Sequence, residues 1–166
     1  MYKINDAYNQ NLIQGKHKVI AISKYLTNHF QEKKVKVINI PVVLDIRNLH
    51  VHKFDINNKI KIIYAGSPGK KDFLHVIIQA LTKINKNELD KLRLEIIGCT
   101  KENLVNCCGV SKKDLITLKD VLDIKGRISR EKVLDEYASA NFSILIRSQN
   151  QRYAKAGFPT KFVESL

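Results

Sequence analysis

No stretch of this chain approaches the roughly 20 consecutive apolar residues that a membrane-crossing helix needs. Its opening run, MYKINDAYNQ, has no apolar signal-peptide core. These two absences set the expectation of a cytoplasmic protein. Cysteine is scarce as well: Cys99, Cys107 and Cys108 offer no paired CxxC spacing and no disulfide framework. Cys99 follows an apolar run and reads as a small core residue rather than a thiol nucleophile. His50 and His52 could share one face of an extended segment, but no further ligand pattern accompanies them, so no metal site is expected. Acids are few, with 16 Asp and Glu against 29 Lys and Arg, a formal charge of +13. The excess is mostly lysine scattered along the chain, whereas a nucleic-acid footprint clusters on one element. Nucleic acid is therefore not expected as a partner. Phosphate groups, or peripheral contact with an anionic membrane, are left open as uses for part of the charge.

What is present is the composition of a globular protein, 44% hydrophobic and 27% charged, in 166 residues, enough for a real core. From Lys59 onward strand-like and helix-like segments alternate. KIKIIYAG (59–66) is a β-branched run ending in glycine, and LRLEIIG (92–98) repeats that arrangement. Between them, Phe73, Ile77, Ala80, Leu81 and Ile84 fall at helical spacing and predict one apolar helix face. Thr100 is placed to cap a helix through KENLVNCC, Ser111 with Asp114 has capping-box spacing, and Ser129 precedes REKVLDEYASA. LDIKGRI and NFSILIR (141–147) read as strands, and SQNQRYAKAG as a polar loop. Upstream, KVIAISKYLTNHF reads as strand, turn and helix, and VKVINIPVVLD as a strand running into an extended linker. Alternation of this kind predicts an α/β protein with a Rossmann-like parallel sheet and flanking helices. In such sheets ligands bind outside the carboxyl ends of the strands.

Two segments fall at those ends. AGSPGKKD joins a strand to a helix through Gly66, Ser67 and the pair Lys70 and Lys71. Amides at a helix start beside two ammonium groups suit a phosphate. The same residues also make a tight turn with solvated lysines, and neither GxxxxGK[ST] nor GxGxxG is present. The second segment is GFPTKFVES. Gly157 permits close backbone approach, Pro159 suits a first helical turn, and amides at Phe158, Thr160 and Lys161 would face the sheet's ligand edge. Glu164 lies about one turn further on. Its carboxylate could take a pair of vicinal hydroxyls, or simply favour a helix N-terminus.

Taken in order, IKIIYAGSPGKKDFLHVIIQAL, LRLEIIG, IKGRISREKVLDEYASANFSILIR and KAGFPTKFVES resemble the donor-nucleotide domain of GT-B glycosyltransferases, in the retaining group called glycosyltransferase family 4. The resemblance covers most of the chain. It implies half of a GT-B fold, with residues 1–45 the tail of an acceptor-binding domain and its linker. Residues 46–166 would then be a nucleotide-sugar donor domain that stops before its end. It implies no cofactor beyond the substrate, a nucleotide-diphosphate sugar, and a glycan or lipid-linked acceptor. Lys70 or Lys71 would hold the diphosphate as the catalytic cation. Gly66, Ser67, Gly98 and Ile128 would border the nucleotide, Gly157, Phe158 and Thr160 would face sugar and phosphate, and Glu164 would take the ribose hydroxyls.

Two departures from the family pattern stand out. Ala156 occupies the place of the first acid in the family's E-x7-E motif, and Ser67 follows Gly66 where an arginine is common. The expected consequence of the early stop is a parent enzyme whose 166-residue piece transfers no sugar by itself. The competing readings are a non-catalytic nucleotide-binding module and a basic, nucleic-acid-binding Rossmann-like protein.

Overall fold

The structure, a computed structural model, describes residues 17–43, 59–69, 72–148, 150 and 152–157. The chain divides into two compact units, Met1–Leu44 with Gln149–Thr160, and Asp45–Ser148 with Lys161–Leu166.

The first unit contains a βαβ crossover. Strand β1 (Lys18–Ala21) and strand β2 (Lys36–Asn39) run parallel, Lys18 opposite Lys36, joined through helix α1 (Lys24–Glu32). Ser23 starts α1 by accepting a hydrogen bond from the Leu26 amide, which satisfies a donor that the helix itself cannot. Lys34 ends the connection at φ 59°, in the left-handed region that usually takes glycine. Ala21 and Val35 are buried, while Ile20 and Ile38 stand exposed. A short helix that belongs to this unit, Arg152–Ala156, lies where the sequence reads as a polar loop. Its Ala156 carbonyl accepts a hydrogen bond from the Ser23 hydroxyl at 2.9 Å.

The second unit is α/β in the Rossmann-like manner. In chain order it has β3 (Ile60–Ala65), α2 (Leu74–Leu81), α3 (Lys86–Leu89), β4 (Leu92–Ile97), α4 (Lys101–Cys108), α5 (Lys112–Thr117), β5 (Leu122–Gly126), α6 (Arg130–Ala138) and β6 (Phe142–Ser143). The helix Arg152–Ala156 of the first unit, α7, follows. The four strands are all parallel, in the order β5-β4-β3-β6. The chain steps outward from β3 to β5 and then returns to the other side of β3, so a topological switch point lies between β3 and β6. Asn141 fixes that return: its amide donates to the Lys61 carbonyl and its side-chain oxygen accepts from the Lys61 amide.

The strands' period of two divides the second unit into two faces. Even-numbered Tyr64, Leu94 and Ile96 enter a core with Leu74, Ile77, Ile78 and Leu81 of α2 and Leu104 and Cys108 of α4. Odd-numbered Ile63, Ala65 and Ile97 meet Tyr137 of α6, with Ile128, Val133 and Ala140 packed around them. The predicted helix face is found in the main: Ile77 and Leu81 are buried and Ile84 packs against the core, with Leu74 and Ile78 on the same stripe, whereas Ala80 is exposed and Phe73, at φ 46°, precedes the helix. The 141–147 segment is also less regular than expected. Only Phe142 and Ser143 form strand, beside Ile62 and Ile63, with one more bond from the Ile144 amide to the Ile63 carbonyl.

The odd-numbered face also carries charge. Glu95, 1% exposed, receives Lys61 at 3.0 Å on one oxygen and Lys125 at 2.9 Å on the other. Both lysines also pair with Glu136 of α6. The result is a closed ring of two cations and two anions that ties α6 to three strands. Lys125 is the extra residue of a bulge, since Ile96 pairs with Ile124 but Ile97 pairs with Gly126. Burial opposes ionisation of Glu136, yet the ammonium groups of Lys125 and Lys61 outweigh it and hold the carboxyl down to about 2.

Candidate functional site

The carboxyl ends of β3, β4 and β5 each carry a glycine with positive φ: Gly66, Gly98 and Gly126. They are stitched together, the Gly66 amide donating to Ile97 and the Gly98 amide to Gly126. At Gly98, φ 99°, a Cβ would sit 2.4 Å from the Gly66 carbonyl oxygen. Only glycine fits there, on both conformational and steric grounds.

Above these ends lies an open pocket of about 490 Å³, within the usual size of small-molecule sites. Ser67 and Pro68 wall it from the β3 loop, Gly98, Cys99 and Thr100 from the β4 loop, Asn103 and Cys107 from α4, and Arg127 from the end of β5. The first turn of α4 is already satisfied. Thr100 and Asn103 form a reciprocal capping box, and the Glu102 carboxyl is held low by hydrogen bonds from the Thr100 side chain and its own amide. This helix start therefore has little left to offer an anion. Among the described residues, the positive charge lining the pocket is Arg127.

A second polar group sits at the switch point. Asp72 is fully buried, and its amide donates to the Gly69 carbonyl. Its Oδ2 accepts the Tyr64 hydroxyl at 3.0 Å. Arg147, beyond the end of β6, brings Nε to 3.8 Å from Oδ1. Burial and then the neighbouring Asp72 carboxylate push the Tyr64 hydroxyl up, so it stays a neutral donor. Cys108 is likewise pushed up, first by burial, and behaves as a core residue.

Of the residues expected at a site, Gly66, Ser67 and Gly98 come together at this edge, with Ser67 and Gly98 lining the pocket. Ile128 packs its side chain against the cluster of Ile63, Ala65, Ile97 and Tyr137, and Arg127, one residue before it, lines the pocket. Gly157 falls in the first unit, after α7. Lys70, Lys71, Phe158, Thr160 and Glu164 lie outside the described residues, as do His50 and His52. Arg127, Asn103, Asp72 and Arg147 are the additions. Arg127 was signalled by its place directly after a strand-ending glycine, and Asp72 by its place directly after the lysine pair.

Among the described residues no group of three His, Cys, Asp or Glu could hold a metal ion, and no helix is long and apolar enough to cross a membrane. Compared with known proteins, the chain matches no family model and no curated relative.

Proposed function

We propose that the second unit binds the nucleotide part of a nucleotide-diphosphate sugar, and that the protein serves a glycosyltransferase. In this reading the sugar passes, with retention, to a glycan or lipid-linked acceptor. The observation that supports the reading is the pocket at the carboxyl ends of β3, β4 and β5, walled in part by Ser67 and Pro68 from the loop after β3, the strand that borders the switch point. Crevices outside the strand ends at such a point are where doubly wound sheets take nucleotides. A ribose and base fit against the Gly98–Thr100 main chain, with Asn103 and Arg127 as polar contacts. Lys70 and Lys71 then supply charge at the departing diphosphate, and Glu164 takes the ribose hydroxyls. Stabilising the leaving group's charge with pre-placed cations is the chief chemical task in such a transfer.

Calorimetric titration with ADP, GDP, UDP, CDP and dTDP tests the reading. One of them is expected to bind with Kd below about 1 mM, on the order of −4 kcal/mol. Glu164→Ala should weaken that binding. No binding by any of the five would refute the reading.

A further inference from the structure

We infer that Arg147 anchors the diphosphate of the bound nucleotide, and that Asp72 is the residue that positions it; this rests on the nucleotide reading above. Arg147 follows β6, the strand next to β3 across the switch point. The loop leaving β3 carries neutral Ser67 directly after Gly66, so β6 brings a guanidinium to this edge of the sheet where the residue following β3's glycine brings none. The arginine side chain is only 19% exposed, and its Nε is turned toward a carboxylate that is 0% exposed. A guanidinium has five N–H donors in a rigid planar fork. Among the described residues, the ion pair with Asp72 is the only pairing that Arg147 makes, and at 3.8 Å it leaves even the buried Nε without a hydrogen-bond acceptor.

A largely buried cation with uncommitted donors suits an oxyanion, and phosphate matches the fork bidentately. Asp72 is itself restrained. The Tyr64 hydroxyl donates to its second oxygen, and its own amide is bonded to the Gly69 carbonyl. Phe73 follows in a left-handed conformation, a strained geometry for a non-glycine residue, between Asp72 and the start of α2. The chain of support therefore runs from Tyr64 in the core, through Asp72, to Arg147 at the ligand edge.

The reading that Arg147 serves only to neutralise Asp72 makes a different prediction, and affinities for a nucleoside diphosphate, its nucleoside and inorganic pyrophosphate separate the two. Titrations are run at physiological salt, so that scattered surface lysines contribute little. In Arg147→Gln the diphosphate's advantage over the nucleoside should fall roughly 10- to 100-fold, with nucleoside affinity unchanged. Arg147→Lys, which keeps charge but loses the fork, should fall between, and Asp72→Asn should reduce the advantage less than Arg147→Gln does. If Arg147→Gln fails to fold because the buried Asp72 carboxylate loses its neighbouring cation, the double variant Asp72→Asn with Arg147→Gln removes both charges, and the same loss is expected. An undiminished diphosphate advantage in the folded variants would overturn the inference and leave the nucleotide reading standing. Pyrophosphate binding that depends on Arg147, with no nucleotide bound, would keep the anion site and refute the nucleotide reading. Binding of none of the three probes to the unmodified chain would overturn both.

Discussion

The two faces of the four-stranded sheet are built from alternate residues of the same strands and are held in different ways. The even-numbered face is an apolar layer in which Ile96 and Leu94 meet α2 and α4. The odd-numbered face mixes a small apolar cluster near Ile63 with the ring of Lys61, Glu95, Lys125 and Glu136. Apolar burial is non-directional and proportional to area, so it secures α2 and α4 without selecting one exact placement. An ion ring is close to neutral in stability because desolvation offsets attraction, but it is satisfied by one register of α6 only. The first face thus supplies most of the stability, and the second fixes geometry. The geometry in question matters because Lys125 sits in the bulge that precedes Gly126 and the pocket residue Arg127.

Breaking the apolar face should cost most. Ile96→Ala removes a fully buried side chain and is expected to destabilise by about 3 kcal/mol, measured by urea denaturation. On the other face, Glu95→Ala is expected to cost about 2 kcal/mol, below the full loss for a buried pair because both lysines keep Glu136 and some access to water. The comparison is sharpened by replacing all four ring members with uncharged residues of similar size. That variant should differ from the parent by less than about 1 kcal/mol, and a loss as large as that of Ile96→Ala would show that the ring contributes stability outright.

Acid provides a graded version of the same experiment. The folded-state pKa of Glu136 is depressed to about 2 from an ordinary 4.5. Its contribution is therefore present above about pH 4.5 and is lost as pH falls toward 2. The unfolding midpoint should drop across that window, and the drop should shrink in Glu136→Gln. Among the single substitutions, the smallest loss of stability is expected from Thr100→Ala, which removes the cap of α4 and should cost about 1 kcal/mol.

The sequence made the apolar face legible and left the ionic face hidden. β3, β4 and β5, and the caps at Thr100, Ser111 and Ser129, follow from local pattern. Ser111 caps through the Lys113 amide rather than by reciprocal bonding with Asp114. Charges at alternate strand positions look like a solvent face, and nothing near Lys61 reveals that Glu136 and α6 will cover it 75 residues later. The apolar face of α2 is legible at Ile77, Leu81 and Ile84; Phe73 departs from it because its φ of 46° leaves it outside the helix, and Ala80 is exposed. The sheet's carboxyl edge was half visible: Gly66, Gly98, Gly126 and Ser67 announce themselves at or after strand ends, whereas Arg147 gains its partner only when β6 returns beside β3.

Amide hydrogen exchange on the chain, with and without a saturating nucleoside diphosphate, tests the central claim most directly. Slower exchange is expected in peptides covering Ser67–Gly69, Gly98–Asn103 and Arg127–Ser129, with α5 unchanged. Protection confined to other segments would contradict the assignment of the pocket as the nucleotide site.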